Sequence, residues 1–560
     1  MPPRTLTSKE TERMMTVPSG GFQAGGVPDS SSSSSSTLDS ASSLGRAWHV
    51  KLSLTTVAAA AAGGGEDAVP VPGKITPRSD LPTLFNFPES VHPAYRPLPT
   101  PIRLALAALS AALAAASTST KTAKHILFEH HTDWKKSAGL FVKFAFRALL
   151  IGTMATTAIQ EAFLRPSRID TPKLLERGWL PSSLSRFDSI QTTCSIPSLG
   201  NTNTEMKLGV HYLRYARADD ASPERQQQRF DVLHCNHGFG ASSLSWLPAL
   251  PSLAQRVGAR VGLAHDAVGF GFTDRPKASR GKKEDLIPYS LAGSAAIGTK
   301  LVANELESDK QTKREDASEQ KSVALFGHSM GCTTTLRMAL ELPRNTRKFI
   351  VLVAPALMLP SAKTANDSAG APRGVGGMNA AGGDEKVAIF RPRSRVRSFV
   401  DRLLAAGRQF FVDAPFAYFL RRVVGKANFW MTSLQSVVWG NPNDVSDADG
   451  LRFQWPAIGR GWEDGLLAFT RSRLFNIDAY AGGDAALLSD VLDLPDTKVI
   501  IVAGGGDKII PATASRSIAE RFSLRFVPLP GRGHDPFEEN PEEFVNLIET
   551  LLEEEEFPCV

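Results

Sequence analysis

One pentapeptide constrains the fold of this 560-residue chain more than any other segment: Gly327-His328-Ser329-Met330-Gly331. It closes an apolar run, Val323-Ala324-Leu325-Phe326, and opens a helix-prone stretch carrying Leu336, Met338 and Leu340. That context predicts a sharp strand-to-helix turn that lifts the Ser329 hydroxyl clear of a sheet edge, making it a candidate nucleophile. Such a turn strains the serine backbone, and side chains at Gly327 or Gly331 would collide with the strand or the helix. Alone the pattern is weak. Its meaning depends on companions in the right order.

Those companions are present. Downstream, Val499-Ile500-Ile501-Val502-Ala503 reads as a buried parallel strand, wholly apolar and mostly β-branched. It runs into Gly504-Gly505-Gly506-Asp507, and an acid just past a strand's C-terminal end faces the crevice where open α/β sheets place their chemistry. Farther on, Phe526-Val527-Pro528-Leu529 leads to Gly531-Arg532-Gly533-His534, then a predicted helix from Pro541 to Leu552. The order is Ser329, Asp507, His534, with separations of 178 positions between the first two and 27 between the last two. The long gap leaves room for a large insertion before the acid. Upstream, Val232-Leu233-His234-Cys235 feeds Asn236-His237-Gly238-Phe239-Gly240. A His-Gly-x-Gly turn there supplies one oxyanion donor, assigned to the Phe239 amide, and the Met330 amide supplies the second.

Each residue has a structural reading beside the chemical one. The side chain of His237 is read as structural, with only its neighbour's backbone taking part. His328 and Met330 are read as packing beside the turn and supporting it. Asp535 and Asp266 are rival acids, but Asp535 adjoins the base and can hardly face it. Asp266 follows an earlier strand and is read as tying down its own loop. The strand Phe349-Ile350-Val351-Leu352-Val353 ends in Ala354-Pro355-Ala356 with no carboxylate. Asp507 is left as the acid.

With these motifs in place, the chain resembles the α/β-hydrolase superfamily, in its single-domain form with a helical cap. The matching stretches are His237 to Gly240, Asp266 to Pro276, the Ser329 turn, the Asp507 loop and the His534 loop, spread over Leu208 to Leu552. One departure is Thr273, where the family commonly carries serine. The resemblance implies a mostly parallel sheet with helices on both faces and an inserted helical cap. It also implies an esterase-like or lipase-like serine hydrolase needing no metal or organic cofactor. Relatives that open epoxides or remove halogens carry aspartate as nucleophile, whereas this position is Ser329. That favours an ester or similar acyl bond in a small apolar or lipid-like substrate. An acyltransferase using the same triad, and a non-catalytic ligand-binding protein on the same fold, are the alternatives.

The hydrophobic fraction of 42% is held down by a long amino-terminal region. Residues 1–95 carry the serine run Ser30 to Ser36, an alanine run from Ala58 and scattered prolines, and are expected to be disordered. Their serine content and few acids suit an organelle address, plastid or mitochondrion, although Glu10, Glu12, Asp29 and Asp39 blur it. Residues 96–165 hold two apolar segments read as a candidate membrane anchor, from 102 to 163. In the second, Lys143 and Arg147 lie four apart on one helix face. A central charge costs about 3 kcal/mol in a spanning helix, so lying in the interface with both side chains snorkelling is favoured over spanning. The alternative is a helix packed on the hydrolase domain.

A net charge of +6 is modest for so long a chain, and no basic run is interleaved with aromatics, so no nucleic-acid partner is expected. The cysteines Cys194, Cys235, Cys332 and Cys559 show no metal or disulfide spacing, which fits an intracellular, reducing compartment. The α/β-hydrolase domain is expected over 166–560. Within it, Glu305 to Lys321 reads as a solvated loop. The region from about 357 to 475 reads as the helical cap, opening with a Gly/Ala tract from Ala369 to Asp384 and continuing through Phe399, Phe410, Phe411, Phe416, Phe419, Phe429, Trp430 and Trp439. Its arginines, Arg391 to Arg402 with Arg421 and Arg422, suit an anionic membrane surface or a plain solvated face.

Overall fold

The strands are β1 (Ser185–Ser195), β2 (Asn203–Ala216), β3 (Phe230–Asn236), β4 (Ala259–His265), β5 (Ser322–His328), β6 (Arg347–Val353), β7 (Thr497–Gly504) and β8 (Arg525–Leu529). They form one eight-stranded sheet in the order β1-β2-β4-β3-β5-β6-β7-β8. The β1–β2 and β2–β4 pairs are antiparallel and the rest are parallel. These contacts come from a computed structural model that describes residues 170–359 and 414–555, short gaps apart, and isolated positions between 101 and 155. The expected disordered segment 1–95, most of the candidate anchor and the tract 360–413 lie outside the described residues. Among the described residues no helix is long and apolar enough to cross a membrane.

The central strands are apolar on both faces because both faces are covered. Along β5, Val323 and Leu325 join one core while Ala324 and Phe326 join the other. β6 repeats the alternation, Ile350 and Leu352 against Phe349, Val351 and Val353. The longer α-helices among the described residues are α1 (Leu250–Arg256), α2 (Leu291–Thr312), α3 (Gly331–Glu341), α4 (Ala414–Val424), α5 (Ala427–Ser433), α6 (Asp447–Ala457), α7 (Trp462–Leu474), α8 (Gly483–Leu492), α9 (Ala512–Phe522) and α10 (Pro541–Glu554). Side chains of α2, α3, α8 and α9 fill the first core. Those of α1 and α10 fill the second, where Trp246 stacks on Phe537 with ring centroids 3.8 Å apart.

One expectation needs correction. The charged stretch from Glu305 is not a loop at its start, since α2 runs on to Thr312. Leu301, Val302 and Leu306 bury one face of it, and Glu305 takes a two-point hydrogen bond from Arg214 on β2, at 2.7 and 3.0 Å. Once a helix is nucleated by such packing, good helix formers extend it at little cost.

Buried imidazoles make the sheet sensitive to acid. His265 on β4 places Nδ1 3.0 Å from Nε2 of His234 on β3, and its other nitrogen lies 3.1 Å from the Ser294 hydroxyl. Burial, with repulsion from neighbouring imidazoles, holds both below the ordinary histidine value, His265 down to about 3. The unfolded chain therefore takes up protons that the folded one refuses. Stability is expected to be flat above about pH 6.5 and to fall as pH drops toward about 3, by up to about 1.4 kcal/mol per pH unit for each histidine. Urea midpoints taken from about pH 7 down to about pH 5 measure the slope. Replacing either histidine with glutamine should flatten it.

Candidate active site

Ser329 occupies the turn between β5 and α3 with φ of 52°, a left-handed conformation rare for a residue with a side chain. The surroundings hold it there. Its amide donates to the Val353 carbonyl at 2.9 Å, and its carbonyl accepts from Cys332 and Ala356 at 3.1 and 3.2 Å. The flanking glycines are required by contact. A Cβ on Gly331 would stand 2.7 Å from the carbonyl oxygens of Asn236 and His237, and one on Gly327 2.6 Å from the Thr335 hydroxyl. The Ser329 hydroxyl makes no hydrogen bond among the described residues.

The loops after β7 and β8 bring the candidate acid, Asp507, to the candidate base, His534. His534 Nδ1 donates to Asp507 Oδ2 at 2.7 Å, while Oδ1 of the same carboxylate accepts the amides of Ile509 and Ile510 at 2.7 and 2.9 Å. A carboxylate can only accept, so the proton of the neutral ring sits on Nδ1 and Nε2 is left as a base. Burial opposes the imidazolium of His534. The hydrogen bond and charge of Asp507, with the charges of Asp535 and Glu539, outweigh it and raise the pKa above the ordinary histidine value.

The turn after β3 lies directly against the serine. A Cβ on Gly238 would come within 3.2 Å of the Ser329 Cβ, and Gly240 turns the chain with φ of 79°. The amides of Phe239 and Met330 donate to no protein acceptor among the described residues. His237 braces this turn, its Nε2 accepting from the Ala267 amide at 3.0 Å and its Nδ1 donating to the Gly238 carbonyl at 2.8 Å. Asp266 holds its own loop, accepting from the amides of Ser243 and Phe272 and from His211.

Residues 414–474, the described helical stretch of the insert between β6 and β7 that precedes α8, reach the site at two points. The ring of Phe469 on α7 lies 4.9 Å from Phe270 and 5.9 Å from Phe239, centroid to centroid, with Met330 and Leu466 packed beside them. At its other end the segment grips the base loop. The His534 amide donates to the Val438 carbonyl at 2.6 Å, and Glu539 accepts the amides of Gly440 and Gly533 at 3.0 and 2.7 Å. Arg452 on α6 is buried and pairs with Asp449 and with Glu538, the latter at 2.9 Å. Arg452→Leu would strand the buried Glu538 carboxylate without its partner. A stability loss of about 3–5 kcal/mol is expected, read as a shift in the denaturant midpoint.

Sequence reasoning set Asp535 aside as unable to face His534, and in the structure it faces His328 instead, at 2.8 Å. Glu539 and Arg452 were not singled out. The signal was the cluster of acids at 535, 538 and 539 directly after the base, which is costly to bury unless partners come from elsewhere in the chain. Among the described residues, His328, His534 and Asp535 bring ligand-type atoms within 4.8 Å of one another. His328 and Asp535 already close on each other, so this set is not laid out to receive an ion.

A strained serine at the C-terminal end of a central parallel strand, with an imidazole–carboxylate pair from two later loops beside the same sheet edge, has the layout of an α/β hydrolase. The chain belongs to the Alpha/beta hydrolase family, whose profile matches residues 232–547. Comparison with curated proteins gives no match. Similar solved structures include a bromoperoxidase from Bacillus anthracis, 13% identical, covering 65% of this chain and 100% of that one, TM-score 0.36. The Cif epoxide hydrolase from Acinetobacter nosocomialis is 12% identical over 69% of this chain and 98% of its own, TM-score 0.39. A membrane phospholipase A described as a bacterial virulence factor is 17% identical over 75% and 98%, TM-score 0.36. Likenesses this distant carry no functional argument.

Proposed function

We propose that the chain is a serine hydrolase that cleaves a carboxylic ester, or a related acyl bond, of a small apolar or lipid-like substrate. The observation that carries this reading is a serine held at φ of 52° on the same sheet edge as a buried imidazole bonded to its carboxylate at 2.7 Å. In the reaction, Ser329 Oγ attacks the acyl carbon as His534 Nε2 removes its proton. Asp507 holds the imidazolium that results. The amides of Phe239 and Met330 receive the oxyanion, each worth on the order of 3 kcal/mol. The bond to the leaving alcohol breaks as His534 returns the proton to that oxygen. Water, activated by the same imidazole, then releases the acid and restores Ser329.

Substrate class follows from the walls. Phe239, Phe270 and Phe469, with Met330 and Leu466, form an apolar cluster beside the nucleophile turn, with Phe239 its exposed member, and such a surface suits an acyl chain. The insert acts as a cap over that surface. Residues 102–163 would bring the domain to a membrane surface, where lipid-like esters reside; this part of the reading rests on the sequence. A fluorophosphonate probe tests the whole: it should label Ser329 in the folded full-length chain, as mapped by peptide mass spectrometry. Folded protein that takes no label at Ser329 sinks the proposal. A chain-length series of p-nitrophenyl esters then ranks the acyl groups.

A further inference from the structure

The base loop carries a second imidazole–carboxylate pair that the reaction above does not use. His328, one residue before the nucleophile, places Nε2 2.8 Å from Asp535 Oδ1 and 3.1 Å from the backbone carbonyl of His534. A carbonyl can only accept, so Nε2 carries a proton. That N–H is aimed at the carbonyl, and Asp535 Oδ1 lies 2.8 Å from Nε2 without a well-aligned hydrogen bond. Both side chains are buried, and the His328 and His534 rings meet edge to face with centroids 4.6 Å apart. On its far side the His328 ring abuts the oxyanion turn, where a Cβ on Gly238 would stand 2.7 Å from Nδ1. One side chain thus touches the turn bearing the Phe239 amide, its own nucleophile turn and the base.

Resting on the serine-hydrolase reading, we propose that His328 and Asp535 are positioning residues that together set the place and the basicity of His534. His328 fixes the place, by tethering the His534 carbonyl to the nucleophile turn. Asp535 tunes the basicity, because its carboxylate stabilises the imidazolium formed when Ser329 loses its proton. His328 limits that influence by drawing part of the carboxylate's charge toward itself. The charged and titratable groups around His534 are Asp507 from the loop after β7, His328 from the turn after β5, and Asp535 and Glu539 from its own segment. Asp535 also faces Arg452 of the insert, and Glu538 lies nearby.

This arrangement makes two substitutions act in opposite directions, which a purely structural role would not do. In Asp535→Asn the carboxylate is gone but the tether remains. The acid limb of the kcat/KM profile against a p-nitrophenyl ester should move to lower pH by roughly one unit, and the plateau should fall by a few-fold as the imidazolium loses that stabilising charge. In His328→Phe an aromatic ring stays but the donor is lost, leaving the carboxylate to face His534 and Arg452 without it. The acid limb should move to higher pH, and the plateau should fall roughly tenfold or more as the base loses its tether. His328→Gln, whose amide can donate from near the Nε2 position, should recover most of the plateau. Thermal unfolding shows whether each variant is folded. Modification of His534 by diethyl pyrocarbonate, followed against pH by mass spectrometry, reads the same ionisation without turnover. It therefore separates failure of this proposal from failure of the hydrolase reading. Midpoints that stay put in both variants, or shift the same way, overturn the proposal.

Discussion

Ser329→Ala is expected to abolish fluorophosphonate labelling and to lower ester hydrolysis by at least about a thousandfold, while leaving the fold intact. The activity loss follows from chemistry, because in the proposed reaction the hydroxyl forms the acyl intermediate. The retained fold follows from geometry. That hydroxyl bonds to no protein group among the described residues, so removing it strands no partner, and alanine bears the same backbone strain at φ of 52° as serine does. Melting temperature should be unchanged or slightly raised, as happens when a strained, functional group is made inert. Ester turnover that survives the substitution would point to another nucleophile. Comparing initial rates and melting curves of the two purified proteins decides the matter.

Asp507→Asn should cost roughly a thousandfold to ten-thousandfold in kcat, through the tautomer of the base rather than its position. Oδ1 of Asp507 accepts two backbone amides, from Ile509 and Ile510, while Oδ2 accepts His534 Nδ1–H. An asparagine must keep its one carbonyl oxygen where two amides point, which turns its NH2 toward His534. The ring then does best with a bare Nδ1 and a protonated Nε2, and a protonated Nε2 cannot take the serine proton. A fall in kcat with little change in KM and no change in stability is the expected pattern. A variant with near-normal kcat would mean that Asp507 does not orient the base.

Why these elements were readable in advance, and others not, has a physical basis. The Ser329 turn, the Asp507 loop and the His534 loop each pair a short apolar strand with a glycine-rich turn, so the information lies within a few neighbouring residues. The central strands were legible for the same reason, being apolar on both faces. β1 was not singled out: only Ile190 and Cys194 along it are buried, in a largely polar run without a strand's clear alternation. The far end of α2 was misjudged because its charges look solvated until Arg214, on a strand ninety-one residues away in sequence, is placed beside Glu305. The pairs His328–Asp535 and Arg452–Glu538 were hidden by the same distance along the chain. Each is meaningful only once the loops after β5 and β8 and the insert meet at one edge of the sheet.

The grip of residues 438–440 on the base loop bears on how this enzyme could be engineered. Trimming the insert to widen access for bulky substrates would also remove the Val438 carbonyl that receives the His534 amide, and the Gly440 amide that occupies one oxygen of Glu539. The shortened protein would gain an open doorway and lose the hinge on which its working part hangs. Redesign for larger substrates is better aimed at Phe469 and Leu466, on the stretch of the insert that touches the turn after β3 and leaves the His534 loop alone.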